Sequence, residues 1–234
     1  MFLGTVEIAK AYLGTNLVFQ KEGNLPYTPV PYIVTDGRAY ITTGKAGTPP
    51  RSSEIKAMCP TDANYGLLCA WTNASGPDSK NFGLAKVYLG KKIGMTFYYN
   101  YGVNDGIPSI EYSVDNQLPF IVKTSIKKGA QSISIKQANS DSWTTVNKTG
   151  NYTVSSTYQL TILNAYQGGS YSLPAPSGTR IYYCKIYSDA TFTTLLFDGV
   201  PCYYQGAFGL WDRVSNTFKG SSNPNGTFSG PSSL

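Results

Sequence analysis

Apolar and polar residues alternate along much of this chain with a period of two. Ser132-Ile133-Ser134-Ile135-Lys136 and Tyr158-Gln159-Leu160-Thr161-Ile162 are the clearest runs. Such alternation predicts strands with one face on a core and the other in water. Segments 39–43, 67–72, 95–101 and 110–114 read as further short strands, separated by Gly, Asn, Asp and Pro. Segment 179–187 is apolar on both faces, with Ile181, Tyr183 and Tyr187 on one and Tyr182, Cys184 and Ile186 on the other. That pattern predicts a central strand covered on both sides. Helical periodicity is nearly absent, with at most a turn at 62–66 or 164–168. Short strands at this spacing predict an all-β, two-sheet antiparallel sandwich over 32–220.

The flanks differ from this body. Residues 1–20 hold a dense apolar unit, Val6, Ile8, Tyr12, Leu13, Leu17, Val18 and Phe19, interrupted by the turn-like Gly14-Thr15-Asn16. A small hairpin or docking strand follows from that pattern. It is too short to hold a core alone and must pack on something. Residues 21–31, with Pro26, Pro29 and Pro31, read as a stiff linker, because proline fixes φ and removes a donor. Residues 221–234 are rich in Ser, Gly, Pro and Asn, an irregular strap over the sandwich or a loose tail.

Composition narrows the class. Hydrophobic residues make up 41% of the 234 and charged residues 14%, which excludes a disordered chain too polar to bury a core. No apolar run is long enough for a transmembrane helix, so no membrane insertion is expected. No basic region followed by an apolar core opens the chain, so synthesis in a cytoplasm without a signal peptide is expected. The net charge of +6 comes from 19 Lys and Arg against 13 Asp and Glu. These basic residues are scattered, with only Lys91-Lys92 and Lys127-Lys128 adjacent. The expectation is a solvated surface and no nucleic-acid partner.

Three blocks carry a family resemblance. Residues 32–44, YIVTDGRAYITTG, resemble the opening strand of laminin-G-like, concanavalin A-like domains found in gut bacteria and their phages. Arg180–Tyr187 resembles the late core strand of that family. Residues 209–218, GLWDRVSNTF, with Asn225-Gly226-Thr227-Phe228 after them, resemble its closing segment. The head, 9–18, is similar to the piece that precedes this domain in many phage structural proteins. The resemblance implies a concanavalin A-like jelly roll carried on a virion, as a capsid decoration, a head fibre or a tail-associated adhesin. The apolar unit of residues 1–20, set off by the proline-rich linker, is expected to attach the domain to other virion proteins, and a host-surface glycan is a candidate ligand; the resemblance further implies a homo-oligomer, with a trimer the first expectation. A free bacterial carbohydrate-binding module or lectin and a degenerate glycosidase-like enzyme are the rival readings. Within the motifs, Gly37 and Gly44 suit turns needing positive φ, and Trp211 and Tyr187 read as core anchors.

Catalysis finds little support in the residues. Histidine is absent, which removes Ser-His-Asp and Cys-His arrangements and histidine metal sites. No E-x-D-x-E strand of the kind used by concanavalin A-like glycosidases occurs. Glu111 and Asp115 share a strand face but stand about 13 Å apart at the usual strand rise. Glycosidase carboxyl pairs need about 5 to 9.5 Å. No catalytic residue, cofactor or metal is therefore expected. Asp62 with Asn64, or Asn104 with Asp105, offer calcium-type oxygens but read more simply as turn formers. Cys59, Cys69, Cys184 and Cys202 lack any CxxC spacing and read as buried thiols, a Cys59–Cys69 bridge being the minor alternative. Tyr98-Tyr99-Asn100-Tyr101 is the densest aromatic patch. Two readings stand for it: a glycan-stacking surface, or a strand face packed on a partner subunit.

Overall fold

The computed structural model describes residues 10–13, 16–20, 25–48, 51–61, 65–70, 82–89, 92–99, 109–111, 117–127, 129–149, 159–164, 166–167, 170–171 and 174–231. They form strands throughout, with no helix among the described residues. In chain order the first are β1 (Lys10–Leu13), β2 (Asn16–Gln20), β3 (Thr28–Pro29), β4 (Ile33–Thr35), β5 (Ile41–Ala46), β6 (Arg51–Met58) and β7 (Tyr65–Ala70). Next come β8 (Phe82–Leu89), β9 (Lys92–Tyr99), β10 (Ser109–Glu111), β11 (Phe120–Lys127), β12 (Ala130–Gln137), β13 (Thr144–Lys148) and β14 (Gln159–Ile162). The last are β15 (Tyr166–Gln167), β16 (Ser170–Tyr171), β17 (Arg180–Tyr187), β18 (Leu195–Tyr204), β19 (Ala207–Asp212), β20 (Thr217–Lys219) and β21 (Phe228–Ser229).

Two antiparallel sheets face each other as a sandwich, the all-β arrangement expected from the alternation. The smaller runs β10-β9-β8-β7-β14-β5. The larger runs β13-β12-β11-β6-β17-β18-β19-β20, with β4 on β17, β3 on β18 and β21 on β4. Leu67, Leu68, Leu84, Leu160 and Ile162 of the smaller sheet join Ile55, Val122, Ile133, Ile135, Cys184 and Phe197 of the larger in one buried cluster. That shared apolar layer supplies the main driving force for folding. β1 and β2 pair separately as an antiparallel hairpin.

β11 and β12 keep strict alternation, with Val122, Ile126, Ile133 and Ile135 buried and their neighbours on the other face half-buried or exposed. β14 departs from it. A register shift between Gln159 and Thr161 buries Leu160, Thr161 and Ile162 in succession. The buried Thr161 hydroxyl is satisfied by two carbonyls within reach, Cys69 at 3.0 Å and Asn164 at 2.9 Å. β17 is central, between β6 and β18, as expected, but its faces need correction. A bulge between Ile181 and Tyr183 inserts an extra residue and swaps the sides that follow. Ile181, Cys184 and Ile186 therefore face the core, while Tyr183, Lys185 and Tyr187 face outward with their partners Lys56, Glu54 and Ser52.

The described parts of 21–31 and 221–234 are tied to the sandwich. Within 21–31, read as linker, Thr28–Pro29 pairs with β18 and Val30 N–H donates to the Pro201 carbonyl at 3.1 Å. A short edge strand with no donor to lose suits proline. At the other end, Thr42 N–H donates to Ser222 Oγ at 2.9 Å, Ser222 N–H donates to the Tyr40 carbonyl at 2.8 Å, and β21 pairs with β4. Gly37 and Gly44 have φ of 91° and 77°, as their turns require. All four cysteines are free and buried. Trp211 and Tyr187 are 7% and 8% exposed, yet they lie on the outer side of the larger sheet, beneath other aromatics, and not between the sheets.

Candidate outer-face binding surface

The register of the larger sheet gathers on one face residues that are far apart in sequence. Outward positions of β6, β11, β12, β17 and β18 carry six cations, Lys56, Lys123, Lys127, Lys136, Arg180 and Lys185, and only two carboxylates, Glu54 and Asp198. Six of the basic residues read as scattered thus share a surface, because strand pairing brings together positions that sequence separates.

Aromatic rings interleave with these charges. Arg180 lies 4.6 Å from the Tyr32 ring centroid, and Tyr32 meets Tyr182 edge-on at 5.6 Å. Lys56 lies 5.2 Å from Tyr182 and Lys185 5.7 Å from Tyr183. Tyr183 donates its hydroxyl to Glu54 Oε1 at 2.7 Å, and Lys123 Nζ is 3.2 Å from Glu54 Oε2. Lys123 also lies 4.9 Å from the Trp143 ring, which Lys136 approaches at 5.3 Å. Trp143 follows β12 and is 38% exposed, unusual for so large an apolar ring unless it serves a contact.

A hairpin loop at 188–194 lies on this face. Ser52 Oγ donates to the Asp189 carbonyl at 2.7 Å and Ser125 Oγ to the Ala190 carbonyl at 2.8 Å. The loop itself is organised by the Asp189 carboxylate. Desolvation acts upward on its pKa, but donors from Thr191, Thr193 and Thr194 outweigh it and hold the group below the usual carboxylate range. Phe192 at the loop tip covers Tyr187, with ring centroids 5.4 Å apart. Burial first, and then the nearby charges of Glu54, Asp198 and Asp189, push the Tyr187 phenol up to about 12. Burial and the bond to Glu54 likewise raise Tyr183. Both phenols therefore stay protonated donors at neutral pH. Beside the loop opens a cleft of about 500 Å³ lined by Ser125, Lys127, Gln131, Ser132, Lys148 and Ala190 among others.

Further along the same face, Tyr27 stacks on Trp211 at 4.9 Å, and Tyr204 closes on Trp211 at 5.4 Å. Arg213 binds Asp198 there, while Asp212 points to the opposite side of the sheet. Asp212 accepts from Asp198 N–H, Val214 N–H and the Ser215 hydroxyl. The two carboxylates are thus close in the fold but separated by the sheet and already engaged.

Tyr98 and Tyr99 lie in β9 of the smaller sheet, opposite Gly83 and Phe82. Their side chains, with Asn100 and Tyr101, lie outside the described residues. The same holds for Val6 and Ile8, and for the side chains of Tyr12, Leu13, Leu17, Val18 and Phe19, whose backbones form the β1–β2 hairpin. Asp62, Asn64, Asn104, Asp105 and Asp115 are also outside them, as is the side chain of Glu111 in β10. Among the described residues no group of three or more His, Cys, Asp or Glu is placed to hold a metal. The reading from sequence passed over Trp143. The signal was present: a single large aromatic closes the polar run Asn139-Ser140-Asp141-Ser142.

No family model matches the chain, and no curated protein matches it. Among solved structures, it is similar to the enzymatically active domain of bacteriophage CBA120 tailspike protein 2, with a TM-score of 0.49 and 12% identity over 69% of this chain. That match covers 28% of the tailspike chain, so this protein spans little more than a quarter of it. It is similar to the heptameric SAP-like pentraxin of Limulus polyphemus, at a TM-score of 0.48 and 8% identity, covering 68% of this chain and 76% of that one. It is also similar to the CBM40 of Ruminococcus gnavus IT-sialidase bound to α2,3-sialyllactose, at a TM-score of 0.44 and 13% identity, covering 61% and 78% of the two chains.

Proposed function

We propose that this chain is a non-enzymatic surface-binding module of a bacteriophage particle, a capsid decoration, head fibre or tail-associated adhesin, that engages host-surface glycan. The observation that carries the binding half is the outer-face strip in which Trp143, Tyr182 and Tyr183 alternate with Lys56, Lys123 and Lys136 around Glu54. Rings offer stacking area, and ammonium and carboxylate groups fix the orientation of hydroxyls. The virion half rests on the three laminin-G-like sequence blocks and on the phage-type head at 9–18. The non-enzymatic reading is supported by the absence of histidine from the sequence and by the engagement of Glu54, Asp198 and Asp212 in structural contacts. Attachment runs through residues 1–20, and a homo-oligomer, a trimer first, multiplies weak single contacts into useful adhesion.

A glycan array probed with the multimerised protein, alongside incubation with polysaccharides and analysis for released sugars, tests this reading. Retention on glycans without sugar release is expected, and Trp143→Ala should reduce it at least fivefold. Sugar release by the purified protein, or silence across the array, would overturn it.

A further inference from the structure

We infer that the outer face selects an acidic glycan, a polymer bearing carboxylates, over a neutral one; this rests on the glycan-binding reading above. Outward strand positions of the face carry six cations against two carboxylates, and the Asp189 carboxylate of the 188–194 loop is engaged by that loop's own Thr191, Thr193 and Thr194. Glu54 neutralises Lys123 at 3.2 Å, and Asp198 is taken by Arg213 at 2.6 Å. Among the described residues no carboxylate pairs with Lys56 or Lys136. Lys136 donates to the Ser140 carbonyl at 2.8 Å and leans on Trp143, and Lys56 and Lys185 lean on Tyr182 and Tyr183. Lys56 and Lys136 are thus each held in place by a neutral partner with no carboxylate paired to them, whereas Lys185 stands in register between Glu54 and Asp198. Fixed cations beside aromatic surface suit a ring that carries both hydroxyls and an anionic substituent.

Glu54 decides between two kinds of polyanion. It sits within the strip, and a carboxylate has about four lone-pair sites. Tyr183 and Lys123 engage its two oxygens, which leaves room to accept hydroxyls. A glycan supplies those hydroxyls at every unit. A phosphodiester strand carries a charge on every unit, as an acidic glycan does, but offers few hydroxyls to that carboxylate in return. The cleft beside the 188–194 loop continues the surface past Ser125 and Ser132 to Lys127, so a chain can lie along β11 and β12.

The full chain is run through native gels cast with alginate, with carboxyl-reduced alginate, with dextran, or with single-stranded DNA as competitor. Retardation by alginate should exceed that by its carboxyl-reduced form at least fivefold, and should weaken as salt is raised. The Lys56→Gln, Lys136→Gln double variant should lose at least fivefold of the alginate retardation. Lys45→Gln, Lys219→Gln, which removes the same charge elsewhere, should lose less than twofold. Equal retardation by alginate and carboxyl-reduced alginate, abolished in both by Trp143→Ala, would overturn acid selectivity while leaving glycan binding intact. Full displacement of alginate by single-stranded DNA at lower concentration would overturn it in favour of nucleic acid. Equal losses in the two double variants would reduce the effect to net charge and overturn the site. Failure to bind any polysaccharide would overturn the glycan reading as well.

Discussion

Arg213 converges on one oxygen of Asp198, with Nη2 at 2.6 Å and Nε at 2.9 Å from Oδ2. The Asp198 side chain is 8% exposed, and its Oδ1 is buried with no hydrogen-bond partner among the described residues. The guanidinium is therefore the principal counterweight to a largely desolvated charge. Arg213→Ala should destabilise the protein by about 2 kcal/mol, because removing one partner of a buried pair leaves the other uncompensated. Asp198→Asn combined with Arg213→Ala should recover part of the loss, since no charge is then stranded. Urea denaturation of the two variants checks this. A single variant within about 0.5 kcal/mol of the parent would sink the assignment.

Gly226 sits where the closing strap crosses the Arg38-Ala39 backbone. A Cβ there would come 2.5 Å from Ala39 N and 2.6 Å from the Arg38 carbonyl carbon, both backbone atoms that cannot swing aside. Gly226→Ala should cost about 1 to 3 kcal/mol through this overpacking. The damage should be local, with faster proteolytic nicking after Ser221 and faster amide exchange in β21 and β4. An unchanged nicking rate would mean that the strap accommodates the methyl group.

These residues also show what the sequence discloses and what it does not. Ile133 and Ile135 announced their strand because alternation is a local property, written in five consecutive positions. The bulge at Tyr182 left no such mark, since one inserted residue alters which face follows without altering composition. The outer strip was still less accessible. Lys56, Lys123, Lys136 and Lys185 belong to four strands, and only the register Lys123↔Glu54↔Lys185 and Ile121↔Lys56 sets them side by side. The tyrosines of 98–101 drew notice by being contiguous, whereas Trp143, alone in a polar loop, meets its lysines only through the fold.

Asp36 gives the strap a dependence on pH. Its Oδ1 accepts from Arg38 N–H and Ala39 N–H, both at 2.8 Å, and its Oδ2 accepts from Thr227 N–H at 3.0 Å. Desolvation acts upward, but these backbone donors and the Arg38 charge outweigh it and lower the carboxyl pKa. A pKa depressed in the folded state stabilises at pH above the unfolded value, about 3.9, and that stability is lost as pH falls through the folded value. Asp36→Asn should therefore be less stable than the parent at pH 6, by roughly 1 kcal/mol. The gap should narrow progressively below about pH 4. Urea midpoints for both proteins across this range test the sign. A gap constant with pH would remove Asp36 as its source.

The hairpin of β1 and β2 bears on attachment. Its strands hold four and five residues, and an isolated two-stranded hairpin of that size is at best marginally stable in water. Its apolar residues, Tyr12, Leu13, Leu17, Val18 and Phe19, therefore call for a protein surface to cover them. The segment that follows the hairpin is tied to the sandwich by contacts of its own. Tyr27 already stacks on Trp211, Thr28–Pro29 already pairs with β18, and Val30 already bonds Pro201. Removal of residues 1–20 should leave all three contacts and a folded domain with its melting temperature within about 3 °C of the parent, a shift under about 1 kcal/mol for this size. The same truncation should abolish incorporation when phage particles are assembled from a genome carrying it. Glycan retention by the free truncated protein should persist once it is multimerised artificially. Normal incorporation would move the docking role elsewhere on the chain, and loss of the folded state would make residues 1–20 part of the sandwich core.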